Sequence, residues 1–215
     1  MESGVRNDRD LSLYLLIDNL FRKPVGIIDD LDTLTAILAL APEIEAYRGK
    51  GSQLVCRGFY QRLSGLVFHA QLNPPSGGAR DACLEALGSH LFQRVQGPPV
   101  RSELAARLRS VAWFALGELS GIQRNPEHLA HALKTAANPR ASEVEHEAAI
   151  QFLGPYWGGD DPDEATADLL FSMEKNPANR DLLVTILQTQ IDLGLNDGFG
   201  ALCAVDDWDD ADEEE

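Results

Sequence analysis

The chain has 215 residues, of which 44% are hydrophobic and 24% charged, with 18 lysines and arginines against 34 aspartates and glutamates. A chain of this size buries about 70% of its surface on folding and needs neither a disulfide nor a metal for stability. The composition argues against a wholly disordered, collagen-like or membrane-embedded protein.

The cysteines and the apolar segments bear on the compartment. Cys56, Cys83 and Cys203 are odd in number and widely spaced, which favours a reducing environment over a disulfide framework. The first residues lack the basic-then-apolar order of a signal peptide. The longest apolar stretches, 36–41 and 111–116, are far shorter than the about 20 residues that span a bilayer. We therefore predict a cytoplasmic protein without a membrane segment.

Helical periodicity dominates the sequence, and the sustained alternation typical of strands is absent. The apolar stripes predict about ten helices with boundaries uncertain by about two to four residues. In chain order they cover roughly 10–21, 29–41, 53–72, 79–95, 100–120, 126–137, 141–154, 162–175, 178–193 and 197–204. Phe59, Tyr60, Trp113, Phe114, Tyr156 and Trp157 are interpreted as core residues of these helices.

Short motifs recur in the second half of the chain. Asn125-Pro126 and Asp161-Pro162 lie 36 residues apart, and Asn138-Pro139 and Asn176-Pro177 lie 38 apart; each pair is typical of a helix start. Leu116-Gly117, Leu153-Gly154 and Leu193-Gly194 are typical of helix ends. This period predicts repeated helix pairs.

The predicted fold is therefore all-α: antiparallel helical hairpins stacked into a short α-solenoid. An irregular helical bundle is the alternative. We expect one domain over residues 1–205, with the repeat signal clearest over 100–195, followed by an acidic, disordered tail over 206–215.

Two segments carry a resemblance to a known family. Residues 143–154 (EVEHEAAIQFLG) and 79–88 (ARDACLEALG) resemble the second helix of a HEAT repeat, mainly through an alanine-rich stretch and a Leu-Gly ending. The resemblance covers mainly residues 79–195 and implies a curved solenoid of a family whose members mostly act as scaffolds or adaptors. In one HEAT-like enzyme family, the deoxyhypusine hydroxylases, His-Glu pairs bind two irons, and His146-Glu147 is similar to one such pair.

A metal site is the other chemistry that the sequence suggests. His128 and His131 share one helix face, and Glu143 and Glu147 share another. If those helices packed face to face, the four side chains could bind zinc or iron; solvated polar faces are the alternative reading. We predict no cofactor and no metal.

Charge is divided unevenly along the chain. Residues 141–215 contain 20 acidic and two basic residues, whereas the first 140 residues carry a net charge of +2. Two basic groups stand out: Arg48, Lys50, Arg57 and Arg62, then Arg94, Arg101, Arg107 and Arg109. The acidic C-terminal segment is the candidate partner-binding element: Asp206, Asp207, Trp208, Asp209 and Asp210.

These observations predict a non-enzymatic protein-interaction module that binds another protein with a basic surface, and not nucleic acid directly. The acidic tail could also cover the chain's own basic groups. One alternative is an acidic mimic that occupies the basic groove of a nucleic-acid-binding protein. The other is a HEAT-like metalloenzyme that uses His146 and Glu147.

Overall fold

The structure is a computed structural model that describes residues 8–47, 51–72, 78–97 and 103–196. All secondary structure within these ranges is helical, which confirms the all-α prediction. The α-helices are α1 (Asp8–Leu20), α2 (Pro24–Ile28), α3 (Leu31–Leu38), α4 (Ala41–Ala46), α5 (Ser52–Leu72), α6 (Gly78–Val95), α7 (Glu103–Ser120), α8 (Pro126–Ala136), α9 (Glu143–Trp157), α10 (Glu164–Glu174) and α11 (Leu183–Asp192). A 3₁₀ helix, Pro177–Leu182, precedes α11.

Two predicted helices differ from the structure, and two short helices were not predicted. The segment 29–41 forms α3 and the start of α4, because Pro42 lacks an N–H and fits only the first turn of a new helix. The segment 178–193 begins in the 3₁₀ helix. The short α2 was missed, and so was α4 beyond its first residue. The predicted helix 197–204 and the domain boundary at 205 lie outside the described residues.

The predicted Asn-Pro start is confirmed at α8. The Asn125 side chain accepts a hydrogen bond from the Glu127 N–H at 2.9 Å, and Pro126 is the first helical residue. Further along the chain, α9 and α10 begin a few residues after their proline and use other caps. Ser142 and Glu145 form a capping box on α9, and Asp163 caps α10.

The prediction that Leu-Gly pairs end helices is confirmed once and wrong twice. Gly194, at φ 66°, follows the end of α11. In contrast, α7 and α9 continue beyond Gly117 and Gly154. Those two glycines lie where helices touch: a Cβ on Gly117 would stand 3.4 Å from the Cα of Phe152 on α9. Here glycine allows a close helix–helix approach.

The arrangement of the helices places the candidate site. α7 packs against α5 and α9, and α9 packs in turn against α11, so these four helices form a row. α6, α8 and α10 each pack against the helix that follows them, α7, α9 and α11. One continuous cluster of buried apolar side chains runs from Ile17 to Leu193 through both sets. None of the helices in the described ranges has the length and apolarity needed to cross a membrane.

Candidate protein-interaction surface

The row of α5, α7, α9 and α11 leaves one side of each helix uncovered. We call this side the open face and define it by Leu54, Arg57, Phe68 and Leu72 of α5, Arg107, Val111 and Phe114 of α7, Val144, Glu147 and Gln151 of α9, and Val184 and Gln188 of α11. Among the described residues, ten large hydrophobic side chains are exposed, and five of them belong to this face: Leu54, Phe68, Leu72, Phe114 and Val184. Leu54, Phe68 and Leu72 share one helix side, because positions 14 and 18 residues apart lie close to whole numbers of turns. Half of the exposed large hydrophobic side chains of the described residues therefore lie on the open face, and three of the others, Leu11, Leu15 and Leu16, lie on α1.

The larger of two grooves on the open face lies between the N-terminal halves of α5, α7 and α9. It encloses about 830 Å³. Leu108 and Val111 of α7 and Val144 of α9 contribute apolar walls, and Leu54 is 60% exposed beside them. Arg57, Arg107 and Glu147 are the charged side chains in its lining. We call this cavity the larger groove.

The smaller groove lies further along the same face, between α7, α9 and α11. It encloses about 240 Å³ and is bordered by Phe114, which is 57% exposed, and by the Gln188 amide. Asp192, the charged residue of its lining, accepts a hydrogen bond from Gln188 at 2.9 Å. This part of the face is uncharged over most of its area and offers an aromatic ring with amide hydrogen-bonding groups.

A buried ion pair fixes α7 against α9. Arg109 donates to the Glu145 carboxylate at 2.6 Å, and the two side chains are 9% and 4% exposed. The second carboxylate oxygen of Glu145 accepts from the Ser142 hydroxyl at 3.0 Å. Each carboxylate oxygen has a partner, so the pair connects the start of α9 to α7.

The two histidines considered as possible metal ligands, His128 and His131, belong to an aromatic cluster. The His128 ring lies 4.4 Å from the Phe92 ring, and the His131 ring stacks on Trp113 at 5.5 Å. The His131 Nε2 is 3.2 Å from the Val95 carbonyl oxygen. Burial, and secondarily the neighbouring His131, lowers the pKa of His128 to about 4. These surroundings keep His128 neutral near pH 7.

The two glutamates do not join these histidines. Glu147 lines the larger groove, whereas Glu143 lines a separate cavity of about 440 Å³ together with His146 and Asp181. The His146 Nε2 is engaged with the Asn138 carbonyl oxygen at 2.6 Å. Across the described ranges, no three histidine, cysteine or acidic side chains come together as metal ligands would. Helical spacing therefore suggested one site for His128, His131, Glu143 and Glu147, and the fold places the two glutamates away from the two histidines.

The open face was not predicted, although one sequence signal for it existed. Phe114 deviates from the apolar stripe of its helix, and its interpretation as a core residue is wrong because it is exposed. Trp113 beside it is fully buried, as predicted. The predicted partner-binding residues, Asp206 to Asp210 with Trp208, lie outside the described residues.

Comparisons of the chain with protein-family models, with curated proteins and with solved structures found no match. Over the described residues, the fold therefore defines an all-helical protein in which five of the ten exposed large hydrophobic side chains lie on one face.

Proposed function

We propose that this protein is a non-enzymatic protein-interaction module, acting as an adaptor, a regulator or a subunit of a larger assembly. It binds its partner through the open face. The observation that carries this proposal is that one side of a row of helices bears five exposed large hydrophobic side chains beside two grooves. Apolar patches of this kind, bordered by polar groups, mark interaction surfaces. Single exposed leucines scattered over the molecule would carry no such meaning.

We further propose that the architecture is a short HEAT-like stack of antiparallel hairpins. Contacts between successive units join residues about one repeat apart: Arg109 with Glu145, and His131 with the Val95 carbonyl, each 36 residues apart. Within the α6–α7 pair, Gly97 lies next to Arg109 and Gly88 next to Leu119, as expected of two antiparallel helices. A helix pair that packs on its neighbours in this way leaves an extended surface for binding.

The acidic segment is proposed as the second contact. Asp206, Asp207, Asp209 and Asp210 carry four carboxylates around Trp208. Such a segment attracts a basic surface on the partner and speeds the encounter, and Trp208 offers an apolar anchor. The partner in this proposal therefore has a basic surface that complements the segment.

The acidic-mimic alternative requires the carboxylates of residues 143–174 to share one exposed face. The surroundings of these carboxylates differ: Glu145 is buried against Arg109, and Asp160 pairs with Arg124. Glu143 and Glu147 line different cavities. This distribution favours the interaction module over the mimic.

The proposal is tested by affinity purification from the native cell with two matched variants. Phe114→Asp places a charge on the open face, and Leu16→Asp places one on α1, where Leu16 is similarly exposed at 54%. We expect a stoichiometric partner with the wild-type chain and with Leu16→Asp, and its loss with Phe114→Asp. Circular dichroism checks that both variants fold. If Phe114→Asp still retains the partner, the open face is not the binding surface. If the purified chain turns over a small molecule, the non-enzymatic role is refuted.

A further inference from the structure

A further cavity lies away from the open face, between α6, the end of α7 and the start of α8. It encloses about 210 Å³, which is below the about 300–1,000 Å³ of sites that take drug-sized molecules and suits a single side chain or a compact molecule. Its lining shares no described residue with the open face. We call it the His128 cavity, and its polar lining residues are Glu85, Ser89, Gln123, Arg124, Asn125 and His128.

His128 is a buried polar residue in the wall of this cavity. Its side chain belongs to a residue that is 6% exposed, and its Nδ1 has no hydrogen-bond partner among the described residues. The ring edge at Cε1 faces α6 at Gly88, where a Cβ would stand 3.9 Å away. Because glycine has no side chain, α6 leaves space in front of this ring edge. Buried polar groups without a partner are uncommon in proteins, and a ligand is one way in which a partner is supplied.

The unpaired charge of the His128 cavity is negative. Among the described residues of the lining, Arg124 is the only basic one, and its guanidinium pairs with Asp160 at 2.7 Å and donates to the Trp157 carbonyl at 2.6 Å. Glu85 is exposed and makes no hydrogen bond or ion pair with another described residue. His128 is neutral near pH 7 because burial lowers its pKa to about 4. A neutral imidazole does not repel a cation, and one of its nitrogens can accept a hydrogen bond.

The start of α8 does not turn this cavity into an anion site. Pro126 has no N–H, the Glu127 N–H donates to the Asn125 side chain at 2.9 Å, and the His128 N–H donates to the Asn125 carbonyl at 3.0 Å. The donors that bind anions at helix N-termini are therefore occupied in this first turn. A cation that donates hydrogen bonds fits the remaining groups.

A guanidinium group matches the cavity better than an ammonium group. The acceptors are spread over three elements, with Glu85 on α6, Gln123 after α7 and His128 on α8. A guanidinium carries five N–H groups that fan out in one plane, and it is less strongly hydrated than an ammonium, so it enters a partly apolar cavity more readily. Leu84 and Leu119 supply apolar walls for the methylene groups of an arginine side chain.

We propose that the His128 cavity binds a guanidinium group, which pairs with the Glu85 carboxylate and donates further hydrogen bonds to Gln123 and His128. An arginine side chain of another protein and a small free molecule both present this chemistry. The site is separate from the open face, so the proposed function does not depend on it.

The test is an NMR titration of the isotope-labelled full-length chain, in which chemical shifts report weak binding and locate it. The probes are arginine, citrulline and lysine, each acetylated at the α-amino group and amidated at the carboxyl group. We expect the blocked arginine to bind at least about tenfold more tightly than the blocked citrulline, which has nearly the same shape and no charge. Equal binding of the citrulline compound would overturn the charge assignment, and equal binding of the lysine compound would overturn the choice of guanidinium.

Protein variants place the binding in the cavity. Glu85→Gln is expected to weaken binding of the blocked arginine at least about tenfold, because it removes the unpaired carboxylate. Asp81→Asn is the matched control, since Asp81 is exposed on the same helix and does not line the cavity. Each variant removes one negative charge from α6, so only the cavity distinguishes them. An equal loss in both would indicate a general attraction of cations to an acidic protein and would overturn the site.

Other probes identify the source of the guanidinium and exclude other ligands. If free arginine or agmatine binds at least about tenfold more tightly than the blocked arginine, the natural ligand is a small molecule, and otherwise it is a protein side chain. If inorganic phosphate shifts the signals around His128 and the blocked arginine does not, the proposal is overturned in favour of an anion. The absence of any shift at the cavity with all guanidinium probes would also overturn it, while the outcome for Phe114→Asp still decides the proposed function.

Discussion

Removing one charge of the buried pair Arg109–Glu145 is the sharpest test of how α7 and α9 are held together. In Glu145→Gln the side chain keeps its length and its contact with Ser142, because glutamine also serves in a capping box. Arg109 then stays 9% exposed without a counter-charge. Breaking a buried pair in this way costs about 3–5 kcal/mol. For a chain of this size we expect the melting temperature to fall by about 6–20 °C.

The assay is urea unfolding at pH 7, followed by far-ultraviolet circular dichroism. The double variant Arg109→Met with Glu145→Leu should recover most of the lost stability, because it leaves no isolated charge in the interior. Asp160→Asn is the matched control, because it breaks the ion pair with Arg124. The Arg124 side chain is 42% exposed and the Asp160 side chain is 68% exposed. A solvated pair of this kind contributes at most about 1 kcal/mol.

Two results would refute the reasoning about this pair. A free energy of unfolding for Glu145→Gln within about 1 kcal/mol of the wild-type value would mean that the interior tolerates an unpaired Arg109. A double variant as unstable as Glu145→Gln would mean that the loss comes from disturbed packing and not from the isolated charge.

Two further predictions follow from other parts of the molecule. Gly117→Val should lower the free energy of unfolding measured in urea by about 1–3 kcal/mol, because the valine side chain would contact the Phe152 backbone. Gly65→Val is the control and should be neutral, because nothing lies within 4 Å of a Cβ at that position. The pKa of His128 is lowered from 6.5 to about 4 by folding. Between these two pH values the unfolded state binds more protons than the folded state, so the free energy of unfolding falls as the pH drops through this range. His128→Leu should therefore show a smaller decrease in the midpoint urea concentration between pH 7 and pH 5 than the wild type.

The sequence predicted the helices well because their signals are local. Apolar stripes repeat every three to four residues, and Asn125 with Pro126 satisfies the first turn of α8 without help from the rest of the fold. Leu-Gly was ambiguous for a physical reason. Glycine reaches positive φ cheaply, as Gly194 does, but it also removes a side chain where two helices touch, as Gly117 does. Only the neighbouring helix decides between these uses.

The same distinction explains why candidate site residues were misplaced. Spacing along one helix shows which side chains share a face, as with His128 and His131, but it does not show what that face meets. Here it meets Phe92 and Trp113, and the paired glutamates lie elsewhere. Similarly, Arg57 and Arg107 belong to separate basic groups in the sequence, and their shared groove results from α5 packing beside α7.

The open face follows from the way each helix of the row is surrounded. α7 touches α5, α6 and α9, and α9 touches α7, α8 and α11, so each has neighbours on three sides. An α-helix places about one residue in four on any remaining side. Arg107, Val111 and Phe114 are the residues of α7 on that side, as Val144, Glu147 and Gln151 are those of α9. Of these residues, Val111 still packs against the core, whereas Phe114 is 57% exposed, and its exposure is what the proposed binding of a partner would explain.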